Sequence, residues 1–389
     1  MSREITSATT RATTSPRYDR PPAQVLLPTT QPAMGAGAAP ETYYGQPMIK
    51  KPMWRWYIPL YIFLGGVAGG SALIGSVAQL CGGPRHRATV RHARYLTLAL
   101  AVICPLLLIF DLGRPRRFLH MLRVVKVSSP LNLGTWILAA FGITSGALAA
   151  RQAAEDGFVL RREGPLGRLA RALPAGPLAL LHALLGTALG GYTGTLLAAT
   201  AVPLWAAAGV LLGPLFLATS VASGAAALTL LSLFGGRRGA AARGELEAVE
   251  TAAALAQLGL VAARDALVPP RIAAPLRRGA WGGVFRFGAV AAGMAGPVGL
   301  RLAARLAGKR GSGAIAAAGA TLTLAGALAE RFALVEAGKI SADDPLAYQA
   351  LTAAAPGAAR PLPREQAGRA RIGMQPRLGV AAADTAVRE

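Results

Sequence analysis

Two cysteines, four histidines and eighteen acidic residues are scant provision for metal binding in a chain of 389 residues. Cys81 and Cys104 cannot supply the four thiolates of an iron–sulfur cluster or of a structural zinc site. Any metal centre must therefore belong to a partner. A bis-histidine haem needs two facing imidazoles in apolar surroundings, and two such haems need four. His86 and His92 lie in GGPRHRATVRHAR and His120 in an arginine-rich stretch, which leaves only His182 in an apolar segment. A haem-carrying membrane subunit is excluded on that count.

Charge is scarce as well. Only 15% of residues are charged while 53% are hydrophobic, a balance that soluble domains rarely have. The net charge of +23 could suggest nucleic acid. Yet the basic residues fall in short clusters between apolar blocks of about 20 residues, as in loops that face lipid headgroups. No soluble basic domain with interleaved aromatics is left over to bind nucleic acid.

What is present is a series of eight apolar blocks, near residues 57–80, 94–111, 131–150, 177–200, 204–234, 245–264, 282–307 and 313–337. These predict an all-α integral membrane protein with about eight transmembrane helices. The sixth opens with Glu245, Glu247 and Glu250 and is alanine-rich enough to lie partly outside the bilayer. Residues 1–52 are rich in Ser, Thr, Pro, Ala and Gly, have no apolar core of signal-peptide length, and read as a disordered tail. Residues 53–340 form the membrane domain, and 341–389 read as a second, basic tail.

Sixteen Lys and Arg lie in the loops after spans 1, 3, 5 and 7, against twelve on the opposite face. The bias puts both termini outside. Small residues recur at four-residue spacing: Gly65 with Gly69, Gly66 with Gly70, Gly142 with Gly146, and Gly186, Gly190 and Gly194 in one row. Such rows let helix backbones approach closely in lipid.

The polar residues are few enough to name. Asp111 closes the second span and is followed by Gly113, Arg114, Pro115, Arg116 and Arg117. This is either a helix stop with basic interfacial anchors or a functional surface. The continuation FLHMLRVVKVSSPLNLGTW stays amphipathic and contains His120, as expected of a re-entrant or interfacial helix. Trp54, Trp56 and Tyr57 read as an interfacial aromatic anchor. Tyr61, one turn deeper, is a lipid-belt residue or a hydrogen-bond donor between helices. Tyr192 and Thr193 are flanked by Gly190, Gly191 and Gly194, where bare backbone would let a flat molecule approach the phenol. Tyr61, Asp111 and Tyr192 all fall towards the outer face. Glu330 and Arg331 lie at bilayer depth in the eighth span, as structural pairing partners or as proton-transfer groups. Being adjacent, they point to different helix faces, so each is expected to pair across to another helix.

Five stretches, WRWYIPLYIFLGGVAGGSALIG, DLGRPRRFLHMLRVVKVSSPLNLGTWIL, GGYTGTLLAATAVPLW, LGPLFLATSVASGAAAL and ERFALVEAGKISADDP, together resemble the NrfD family, the membrane subunits of polysulfide reductase and its relatives. The resemblance runs from residue 54 to about 345. It implies two four-helix bundles in the cell (inner) membrane, without haem or metal in this chain. It also implies menaquinone or ubiquinone near the outer face, and electron exchange with a docked iron–sulfur subunit that connects to a molybdopterin enzyme or to haem c subunits. By position, Tyr192 matches a tyrosine near the quinone head group, Tyr61 stands where some relatives have histidine, and Ile58 replaces a polar residue. Asp111, His120 and Arg114 complete the expected quinone site, with Asp111 and His120 as proton acceptors. Arg114, Arg116 and Arg117 would form the docking surface. Two other readings compete: a redox-inert anchor of such a complex, and a secondary transporter whose interrupted helix VAAGMAGPVGLRL, with Pro297 near midplane, lines a substrate path.

Overall fold

Apolar runs of this length have one stable backbone solution in lipid, because a helix satisfies every peptide group within itself. The computed structural model adopts it eight times. It describes residues 49–112, 116, 118–126, 129–157, 163–234, 236–308 and 312–353, with the side chains of 236–241 excepted. Among the described residues, eight helices are long and apolar enough to cross a membrane: α1 (Tyr57–Cys81), α2 (Pro84–Asp111), α3 (Pro130–Asp156), α4 (Ala175–Ala198), α5 (Pro203–Leu233), α6 (Ala242–Leu267), α7 (Gly279–Leu306) and α8 (Gly313–Asp343). No strand occurs among the described residues. The expected tails fall largely outside the described residues. α8 continues to Asp343, and a further helix, Pro345–Ala353, follows.

Local chemistry sets several helix ends. Ser129 caps α3 ahead of Pro130, and Gly157 closes it in the left-handed conformation at φ 71°, its N–H bonding Ala153 O. In α7 a π-helical stretch, Val284–Ala295, precedes Pro297. The interruption anticipated around Pro297 thus takes the form of a widened helical stretch of twelve residues just ahead of the proline, which itself has no backbone donor.

Helices α1 to α4 pack in a ring of neighbours, and α5 to α8 form a second ring. The arrangement is consistent with two four-helix bundles, with α1 and α4 of the first meeting α5 of the second. Glycine makes that junction possible. A Cβ on Gly69 would run into the backbone of Gly186 and Gly190, and one on Gly70 would strike the carbonyl of Ser220. Gly142 and Gly146 behave differently: nothing lies within 4 Å of a Cβ at either. That row makes no close crossing.

The second bundle buries charge. On α6, Glu250, Gln257 and Arg264 recur every seven residues, so they share one face, and all are buried. Arg301 of α7 pairs with Glu250 at 2.5 Å and donates to Thr251 Oγ1 at 3.1 Å, while Thr323 of α8 donates to the same carboxylate. Glu330 accepts from Thr219 Oγ1 of α5 at 2.8 Å. Arg331 donates to Phe216 O and lies 3.6 Å over the Phe216 ring. Both residues therefore do reach another helix. The expectation that they avoid each other is corrected: Arg331 Nη1 lies 3.7 Å from Glu330 Oε1, because the long arginine arm can curl back where no water competes for the carboxylate. The sixth span lies inside the bundle, its Glu250 satisfied by α7 and α8.

Removing one partner of a buried pair strands the other charge, at about 3–5 kcal/mol. Glu250→Ala is expected to lower the thermal midpoint of the purified chain in detergent markedly. The double variant Glu250→Leu with Arg301→Met should recover most of that loss. A double variant no better than the single would show that the pair is not the source of the effect.

Candidate functional site

At the end where the chain enters α1 and leaves α8, called here the terminal end, the first bundle opens into a cavity of about 300 Å³. Apolar side chains make most of its wall, among them Ile58, Ile62, Leu108, Leu138 and Leu196. The polar groups are few: Tyr61 from α1, Asp111 from the end of α2, Thr135 from α3, and Tyr192 and Thr193 from α4. An apolar cleft with a few convergent polar groups is the usual form of a small-molecule site. Tyr61 is buried, Tyr192 and Asp111 half-buried. The hydroxyl of Tyr57 faces the Asp111 carboxylate at the mouth.

Tyr192 can sit where it does because α3 has no side chain at Gly134. A Cβ there would overlap the Tyr192 phenol, ring carbon and oxygen alike. About two turns further on, Gly142 lines the deep end of the cavity. The pairing of Gly142 with Gly146 at packing distance in the sequence thus reflects room for a cavity at the first of the two. On α2, Pro105 lines the wall together with Ala101. Pro105 has no amide hydrogen, so the Ala101 carbonyl four residues earlier has no helical donor. It is an acceptor left over beside the cavity.

The cover comes from residues 118–126, between α2 and α3. A four-residue helix, Phe118–Met121, turns Phe118, Met121 and Leu122 into the cavity. Two side chains of α3 fasten this segment, Trp136 by donating from Nε1 to Val124 O at 3.5 Å and Asn132 by three hydrogen bonds. Asn132, in the first turn of α3, donates from Nδ2 to Met121 O and Val124 O, both at 3.0 Å, and its Oδ1 accepts from Lys126 N at 2.7 Å.

Of the residues singled out from sequence, Tyr61, Asp111 and Tyr192 meet in this cavity. His120 does not: it lies on the exposed side of the short helix and is absent from the lining. The amphipathic segment is there, but four residues make about one turn, and the turn that brings in Phe118 and Met121 carries His120 out. Arg116 is exposed beside the cover, and Arg114 and Arg117 lie outside the described residues. Glu330 and Arg331 are buried in the second bundle and do not line the cavity. The aromatic anchor divides: Trp56 is exposed, whereas Trp54 lines the cavity and stacks on Trp205 of α5 at 5.4 Å and 16°. Sequence reasoning missed Asn132, Gly134 and Pro105. The proline in the apolar run AVICPLLLIF was the one readable signal among them.

A family model described as "Polysulphide reductase, NrfD" matches residues 46–342, most of the chain. No curated protein matches it.

The role of Asn132 is testable without any ligand. Asn132→Ala removes three fixed contacts from the cover, and amide hydrogen exchange over residues 118–126 is expected to rise about tenfold or more while α3 and α4 stay protected. Unchanged exchange over the cover would show that something else holds it.

Proposed function

The chain belongs to the polysulphide reductase NrfD family, the membrane subunits of respiratory oxidoreductase complexes, and on that premise we propose that the terminal-end cavity binds the head group of a quinol or quinone. The observation that carries this reading is the convergence of two phenols and a carboxylate, Tyr61, Tyr192 and Asp111, on one apolar cavity whose floor is shaped by Gly134. A flat ring with an oxygen at each end suits such a site. Its width beside Tyr192 is set by the missing Cβ, and a phenol is a donor that can point to a carbonyl oxygen. The cavity volume lies at the lower end of the range for small-molecule sites. It suits a head group of one or two rings, menaquinone or ubiquinone.

A quinol supplies two electrons and two protons when it is oxidised there. The residues supply orientation and proton acceptors. Tyr192 and Tyr61 position oxygens by hydrogen bonding, and Asp111 at the mouth takes a proton directly or through one water. Phe118, Met121 and Leu122 exclude bulk water. Among the residues first considered, His120 is then left as a solvent-side group. Glu330 and Arg331 would act in proton transfer only away from this cavity, within the second bundle.

The terminal end is read as the outer face of the cell membrane. Arg116 and the exposed Val124 and Val125 lie there beside the cover, and with Arg114 and Arg117 they would meet an iron–sulfur electron-transfer subunit. That partner would pass electrons to a molybdopterin or haem c subunit.

The complex purified from its native membrane in mild detergent should yield quinone on extraction. Tyr192→Phe should keep the complex assembled while quinol turnover falls about tenfold to hundredfold, the cost of one buried hydrogen bond. Gly134→Val, whose side chain would displace the Tyr192 phenol, should abolish bound quinone. An assembled complex without quinone, and with turnover indifferent to both substitutions, would make the chain a redox-inert anchor.

A further inference from the structure

At the end opposite the terminal end, a second cavity of about 450 Å³ lies between the two bundles. α1 gives Leu73, Ile74 and Val77 to its wall, and α6 gives Leu246 and Val249. Val221, midway along α5, marks its deep end. Val77 and Val249 are exposed although both belong to membrane-spanning helices. An apolar side chain exposed on such a helix meets acyl chains, so the crevice opens to lipid. Along α1 it runs from Leu73 to Cys81, a length of roughly 12 Å.

The rim is polar and carries both signs. Glu245 of α6 lies 3.2 Å from Arg85 Nη2 and 2.6 Å from His86 Nε2, so at this end the bundles meet through charge. His86 is buried with both ring nitrogens engaged, the other on Gly82 O, and has nothing left to offer a ligand. Arg85 and Glu245 differ from it. Both are exposed, and the one pairing between them leaves most donors of the guanidinium and part of the carboxylate's accepting capacity free.

We propose that this crevice binds one phospholipid with a primary-ammonium headgroup, of the phosphatidylethanolamine type. Its phosphate lies on Arg85, its ammonium on Glu245, and one acyl chain runs inward between α1 and α6 past Val77 and Val249. A headgroup of net negative charge would set that charge beside Glu245 with nothing to match it. A choline headgroup has no N–H to donate to the carboxylate. A primary ammonium next to a phosphate answers both rim charges at once, and charge-assisted hydrogen bonds of this kind are the stronger ones. The lipid then fills the gap between α1 and α6 at the end of the bundle junction that the Gly69 and Gly70 crossings do not reach. The site is independent of the quinone reading.

The test uses the intact complex in nanodiscs of dioleoylphosphatidylcholine with a trace of a phosphatidylethanolamine that carries a diazirine in one acyl chain. After irradiation, labelled peptides are mapped by mass spectrometry. Label on residues 73–81 and 242–249 is expected to exceed that on the exposed Leu180 and Leu184 of α4 about tenfold. Unlabelled phosphatidylethanolamine should displace it, and phosphatidylglycerol should not. Arg85→Gln should lower the crevice label about tenfold, and Glu245→Gln should make phosphatidylglycerol as good a competitor as phosphatidylethanolamine. Val77→Trp, which puts a bulky ring in the crevice, should remove the label as well and serves if a rim variant fails to assemble. Label spread evenly over exposed helix faces would make the crevice ordinary lipid-facing surface and overturn the proposal. Displacement from the wild type by phosphatidylglycerol as well as by phosphatidylethanolamine, or by a long-chain ubiquinone instead, would overturn it too.

Discussion

The second bundle rests on keeping charge out of lipid. Glu250, Arg301, Glu330 and Arg331 are all buried where an unpaired ion would be costly, and each has a partner on another helix. α6 and α7 are tied by Glu250 and Arg301, α8 joins through Thr323, and α5 reaches α8 through Thr219 and Phe216. Lipid offers no hydrophobic force to drive helices together, so such contacts, with close backbone crossings, determine which helices are neighbours. Glycine closes the remaining approaches: Gly70 of α1 seats the first bundle on Ser220 of α5, and Gly69 seats α1 on α4 within it.

That division of labour explains why the cavity lies in the first bundle. The second bundle spends its interior on mutual satisfaction of charges. The first has a looser interior at the terminal end, where Gly134, Gly142 and Pro105 remove side-chain volume or a backbone donor, and where a covering segment is held by Asn132 and Trp136. Small residues serve two opposite purposes in this fold. At Gly69 and Gly70 they bring backbones together, and at Gly134 and Gly142 they leave room.

The helices were legible because lipid imposes a length and a composition on every span. That Tyr61, Asp111 and Tyr192 lie at one end followed from the alternation of spans alone. Three kinds of information were not local. The contacts of Asn132 depend on where the cover folds back. The facing of Trp54 depends on Trp205, some 150 residues away in the chain. The side on which His120 falls depends on the start of a one-turn helix, which a hydrophobic pattern cannot fix. The pairing of Glu250 with Arg301 was equally invisible, since sequence shows that a buried acid needs a partner and not which helix brings it.

The stack of Trp54 on Trp205 has a mechanical side. Trp54 belongs to the first wall of the cavity, yet its ring is clamped on the start of α5, its carbonyl accepts from Lys339 at 2.5 Å, and the preceding Lys51 pairs with Asp343 at 2.5 Å. The load path from the chain ahead of α1 therefore runs into the second bundle before it reaches the cavity. Tension on the leading segment is borne by α5 and α8, and the cavity wall behaves as a braced panel whose frame is the neighbouring bundle.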